Sequence, residues 1–244
     1  MWGLILCGIQ KGIIKKVLLE VSMNRKFIIL VVLLVFVSVA CSQTDSVLKK
    51  SDTMELDTVS EADIWSDPVI VTSKNAKGVD VSMAEGGIKF YLNSNDSYVY
   101  KFYERDAYEN VVIEAEIANA GVNNNGIAFV CQANEDRTEW IEIRVSNQGR
   151  YDLYHFNQEL RDEYKNPYED LMRFGHSDAF YPVKNNHIKV VCDNNSYSLY
   201  VNDELAFESE AAVIEGQGGV GVGVLSYDEL PVSIIFDSIK ISKP

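Results

Sequence analysis

From residue 67 onward, apolar and polar side chains alternate with a period of two over short stretches bounded by Gly, Asn, Asp and Pro. This is the pattern of half-buried β-strands joined by turns. It is clearest in residues 123–156, which read as three antiparallel strands. Ile127, Phe129 and Cys131 share one face of the first, Ile141, Ile143 and Val145 one face of the second, and Tyr151 and Leu153 continue that face on the third. The other face of the middle strand presents Trp140, Glu142 and Arg144.

The same reading predicts strands at 69–71, 79–83, 87–92 and 97–103, and at 110–118, where Val111, Ile113, Ala115 and Ile117 turn inward against Glu114 and Glu116. Asn194-Asn195 marks a hairpin between strands 187–193 and 196–201, and Asn202-Asp203 turns the chain into 204–208. Residues 157–182 are charged and aromatic; they read as irregular, with a short helix over 168–174 and too much polarity for core. Gly216, Gly218, Gly219, Gly221 and Gly223 invite comparison with a phosphate-binding loop. However, no helix and no Lys-Ser/Thr follow, and the run continues as strand 219–226, so the glycines are expected to permit a close approach of chains. A last strand, 231–236 with 238–242, closes the pattern. About a dozen strands with no long helix predict an all-β, antiparallel two-sheet sandwich.

Ahead of this domain, Met23-Asn-Arg-Lys-Phe opens a basic region, and an apolar run at 27–37 is too short to span a bilayer comfortably. Residues 23–40 therefore read as a secretory signal. It ends in Val37-Ser38-Val39-Ala40-Cys41, similar to a bacterial lipoprotein signal, which makes Cys41 the expected lipidation site and mature N-terminus, with Ser38 in place of the usual Leu. Residues 41–66 read as the acylated cysteine and a flexible polar tether, and 67–244 as the domain. Residues 1–22 precede a complete signal and read as an over-extended start.

The whole chain has 22 basic and 36 acidic side chains; without residues 1–40 it keeps 17 and 35, a net charge near −18. Such a surface repels phosphate backbones, so nucleic acid is not an expected partner, whereas neutral glycans, cations and basic partners are compatible with it. Cys131 and Cys192 fall on inward faces of predicted strands in an exported chain, so they either pair or remain two buried thiols. His155, His176 and His187 stand in no metal or nucleophile motif.

The segments Gly126-Ile-Ala-Phe-Val-Cys, Trp140-Ile-Glu-Ile-Arg-Val, Tyr197-Ser-Leu-Tyr-Val-Asn-Asp, Gly218-Gly-Val-Gly-Val-Gly and Phe236-Asp-Ser-Ile-Lys-Ile, in this order, resemble the concanavalin A-like lectin/glucanase jelly roll. The resemblance is nearest to its laminin-G-like and 3-keto-disaccharide-hydrolase-type domains, and it covers residues 67–244. It implies a glycan-related role, and structural calcium is common in the fold, although no Asp-x-Asp-x-Asp-Gly loop is present. Glucanases of this fold carry Glu-x-Asp-x-x-Glu on one strand, with the carboxylates spaced for retaining chemistry. The chain is read as lacking that run, with Glu114, Glu116 and Glu142 as its nearest approaches. The expectation leans away from an enzyme.

Trp140, Glu142 and Arg144 admit two readings. In one, the Trp ring stacks on a sugar, the acid and base bond its hydroxyls, and Arg150, Asp152 and Tyr154 extend the surface from the next strand. In the other, the charges pair across a solvated sheet and Trp140 is half-buried under the 157–182 loop. The leading expectation is a surface-tethered, non-catalytic module that binds glycan or another cell-envelope ligand. A hydrolase or lyase of the 3-keto-disaccharide class and a structural or adhesive lipoprotein are the alternatives.

Overall fold

The computed structural model describes residues 64–84, 87–120, 124–172 and 174–244. The residues expected to form an over-extended start, a signal, the lipidated Cys41 and a tether lie, up to residue 63, outside the described residues. In chain order the strands are β1 (Val69–Thr72), β2 (Val79–Ala84), β3 (Gly87–Leu92), β4 (Tyr98–Tyr108), β5 (Val111–Asn119), β6 (Asn125–Ala133), β7 (Glu139–Ser146) and β8 (Arg150–Asn157). After helix α1 (Gln158–Asp162) come β9 (Tyr168–Asp170), β10 (Gly175–His176), β11 (Asn186–Asp193), β12 (Ser196–Val201), β13 (Glu204–Glu210), β14 (Gly218–Ser226) and β15 (Val232–Ser242).

They form two antiparallel sheets. The eight-stranded sheet runs β1-β4-β14-β6-β7-β8-β10, with β9 also paired to β8; the seven-stranded sheet runs β13-β12-β11-β5-β15-β3-β2. Asn194 and Asn195 both have positive φ (46° and 69°), as do Asn202 and Asp203 (50° and 68°), the geometry that two-residue hairpins require and that Asn and Asp tolerate best among residues with a Cβ. These two turns make β11-β12-β13 a meander.

The main core lies between the sheets. Ile127, Phe129, Ile141, Ile143, Val145 and Leu153 of the eight-stranded sheet share it with Ile113, Ile117, Ile188, Val190, Leu199 and Phe236 of the other. Cys131 on β6 and Cys192 on β11 are joined by a disulfide, S–S 2.01 Å, which ties one sheet to the other across this core.

Two expectations are corrected here. The folded domain starts earlier than residue 67: Trp65 packs edge-on against Tyr103 (5.8 Å between centroids) and Ser66 N–H donates to the Phe102 carbonyl at 2.8 Å, so both residues are buried rather than part of the tether. Among the described residues of 168–174 no helix forms. The open edge of β8 supplies hydrogen-bond partners to β9 and β10 there, whereas the helix sits at Gln158–Asp162, where the Asn157 side chain accepts from Glu159 N–H. Nor is that region too polar for core, since Phe180 belongs to the main one.

Candidate functional site

The outward face of the eight-stranded sheet carries a second apolar cluster of Tyr100, Phe102, Ala128, Val130, Trp140, Phe156 and Leu225 with their neighbours. Its construction follows from side-chain size. Tyr100 on β4 and Trp140 on β7 are separated by β14 and β6, so their backbones are about 14 Å apart at the usual strand spacing. Their ring centroids are nevertheless only 5.2 Å apart. The rings meet because the intervening outward positions are Gly221 and Gly223 on β14 and the compact Ala128 and Val130 on β6, which leave room for large side chains to lean inward. A Cβ on Gly223 would come within 2.4 Å of the Tyr100 ring. Trp140 then stacks on Phe156 at 3.8 Å and meets Phe102 at 5.6 Å.

Trp140 is consequently 0 % exposed, with no face open to a sugar. The stacking role expected of it is corrected, and so is the picture of a half-buried ring: its neighbours on the sheet cover it completely. Glu142 is sealed in the same way. It accepts from Tyr100 Oη (2.9 Å) and Trp140 Nε1 (3.3 Å) on one oxygen and from Arg144 Nε (2.7 Å) on the other. Tyr100 Oη is also 2.9 Å from Tyr168 Oη; its single proton goes to Glu142, so Tyr168 is the donor of that pair.

Arg144 lies among rings as well, its Cζ 4.6, 4.7 and 5.3 Å from the centroids of Tyr154, Tyr168 and Tyr98. Burial pulls its pKa down, but Glu142 and the surrounding tyrosines outweigh it and hold the guanidinium charged more firmly than usual. Burial raises the phenols in turn, against the pull of Arg144; Tyr154 is pushed up to about 12. Tyr168 reaches the site because β9 pairs with β8 and because buried His155 contacts Glu139 Oε1 (2.8 Å) and Glu169 Oε2 (3.0 Å), fastening β9 to the sheet.

Cross-strand register sets Trp140 opposite Phe156, Glu142 opposite Tyr154 and Arg144 opposite Asp152. The six candidate residues therefore share one face, but at two depths. Trp140 and Glu142 are buried beneath, while Arg144, Arg150, Asp152 and Tyr154 line a depression of about 320 Å³ with Tyr227 and Gln148. Arg144 is its floor, with 9 % of the side chain exposed; Asp152 accepts from Arg150 Nη2 at 3.1 Å on its wall. Asn124 and Asn125, at the start of the three-strand stretch, were not among the candidates, and Tyr227 comes from a segment after β14 that alternation alone did not connect to the site.

The expectation that the chain lacks Glu-x-Asp-x-x-Glu is corrected: the spacing occurs in Glu104-Arg105-Asp106-Ala107-Tyr108-Glu109, across the end of β4 that the strand prediction stopped short of. Between Tyr103 and Tyr108 the strand leaves its register with β14, four residues standing against one. Glu104 is ion-paired with Arg137 at 2.6 Å, and residues 104–107 are exposed on the rim of a separate depression. Among the described residues, no group of three or more His, Cys, Asp or Glu converges as metal ligands.

No family model and no curated protein matches the sequence. Solved structures do match. The carbohydrate binding module CBM66 from Bacillus subtilis superposes with a TM-score of 0.54 at 13 % identity, covering 74 % of this chain and 96 % of that one. A Bacillus licheniformis beta-glucanase gives 0.52 at 13 %, covering 75 % and 94 %. A galectin-like protein of unknown function from Bacillus subtilis gives 0.54 at 8 %, covering 76 % and 93 %. Identities this low speak to architecture alone. With two antiparallel sheets in this topology, the chain has the concanavalin A-like jelly-roll fold.

Proposed function

We propose that this protein binds glycan without cleaving it, through the depression floored by Arg144, and that Cys41 tethers it by a lipid to the bacterial cell envelope. The observation that carries the reading is the make-up of that depression: an arginine fixed by Glu142 and three tyrosine rings, beside an Asp152–Arg150 pair, Tyr154 and Gln148, all on or between strands. Sugars present hydroxyls that both donate and accept next to apolar C–H faces. A rigid surface offering a carboxylate, a guanidinium, an amide and phenol rings is complementary to them. Two of the structural neighbours, a carbohydrate binding module and a beta-glucanase, bear names that agree with a glycan ligand.

The non-catalytic part is supported by two carboxylates: Glu142, sealed below the depression, and Asp152, which lines it but is engaged by Arg150 Nη2 at 3.1 Å. A retaining glycosidase needs a carboxylate that reaches the sugar and a second one across the bond. Glu142 is sealed beneath the surface and saturated by three donors, and the next outward positions on β7 are Arg144 and Ser146. The net charge near −18 supports exclusion of nucleic acid. The test is a carbohydrate array probed with the full chain and with Asp152→Ala and Tyr154→Ala. Binding by wild type that both variants lose by roughly tenfold or more is the expected result. An array with no bound glycan would sink the proposal, and release of reducing ends from a bound glycan would contradict its non-catalytic part.

A further inference from the structure

The depression floored by Arg144 does not end at Asp152. A second one, of about 330 Å³, shares Arg150 and Asp152 with it and continues to Asp170, Leu171, Met172 and Phe174. Phe174 stands out. The other phenylalanine rings on this face, Phe102 and Phe156, are sealed in the apolar cluster, whereas Phe174 is 59 % exposed. It is also held in place: the Arg150 guanidinium lies 4.2 Å from its ring centroid while donating to Asp152, so one arginine fixes both the wall between the depressions and the ring beyond it.

Resting on the glycan reading above, we propose that the two depressions are consecutive sections of one groove that takes a linear, neutral oligosaccharide, with Phe174 as the apolar platform for a sugar ring distal to Arg144. Three features decide the ligand class. The shared wall carries one cation and one anion, suited to bridging hydroxyls of adjacent sugars. The charge of Arg144 is already balanced by Glu142, and the distal section adds the carboxylate of Asp170, so uronate or sulfated chains meet no uncompensated cation. Leu171, Met172 and Phe174 give that section an apolar side that C–H faces of a neutral sugar can cover.

The experiment is a titration of the full chain, wild type and Phe174→Ala, with neutral and uronate-containing oligosaccharides graded from one to six sugars on several backbones, β-glucan among them. For the backbone bound best, affinity is expected to rise with length by roughly tenfold beyond the first sugars, and Phe174→Ala to remove that increment. Affinity that is flat with length, an increment that survives Phe174→Ala, or a preference for uronate chains overturns the groove while leaving glycan binding at the Arg144 depression standing. No binding to any member overturns both. A thermal melt of Phe174→Ala accompanies the titration; an exposed ring is expected to leave it unchanged.

Discussion

Glu142 is sealed in a layer of rings and Arg144 lies over it with only the rim of its side chain exposed at the floor of the depression, so each is the other's counter-charge in a largely dry setting that strengthens pairing and punishes its loss. Glu142→Ala should therefore lower unfolding free energy by about 3–5 kcal/mol, because Arg144 stays buried without its partner. The double variant Glu142→Leu/Arg144→Met, of similar volume, should recover most of that loss in denaturant titration; equal loss in both variants would contradict the pairing. At this scale the sequence was informative about kind and misleading about depth. Alternation correctly put Trp140, Glu142 and Arg144 on the side away from the main core. What it could not convey is that residues 40 positions earlier on β4, with Phe156 on β8, would cover them, since burial here depends on contacts between distant strands.

Strand β14 is the element that makes the aromatic layer possible. Its valines, Val220, Val222 and Val224, face the main core, and Gly221 and Gly223 face outward under the rings of Phe102 and Tyr100. Gly223→Ala would bring a methyl within 2.4 Å of Tyr100 and 2.9 Å of the Val99 carbonyl, so a destabilisation of about 1–3 kcal/mol is expected from the shifts that follow. Gly219→Ala would meet nothing closer than 3.6 Å and should lie within about 0.5 kcal/mol of wild type. Equal melting temperatures for the two variants would refute this account of the glycines. Their alternation with valine was visible in the sequence and correctly argued against a phosphate loop. The edge strands were harder to see: β9 and β10 are short and polar, and they exist because β8 offers them a ladder, which local periodicity over 168–174 cannot register. The end of β4 was missed for a related reason, since the break in its register interrupts the alternation that marks a strand.

Over the whole molecule, the sandwich was readable because its inner faces repeat every second residue, and the two Asn-rich turns set the order of β11, β12 and β13. The disulfide was one of two open readings, because pairing depends on how two sheets are laid against each other. It joins strands of different sheets 61 residues apart, so replacing Cys131 and Cys192 by Ser should cost about 2–4 kcal/mol, and reductant should lower the melting temperature of the wild type alone. An unchanged melt under reductant would contradict a bond in the native protein. The measurement that bears most directly on the central claim is NMR shift mapping of the isotope-labelled full chain with the glycan selected on the array. Glycan binding at the proposed site predicts the largest shifts at Ser146, Gln148, Arg150, Asp152 and Tyr227 and at the Arg144 Nε–H. Shifts confined to the seven-stranded sheet, or none at saturating glycan, would contradict it.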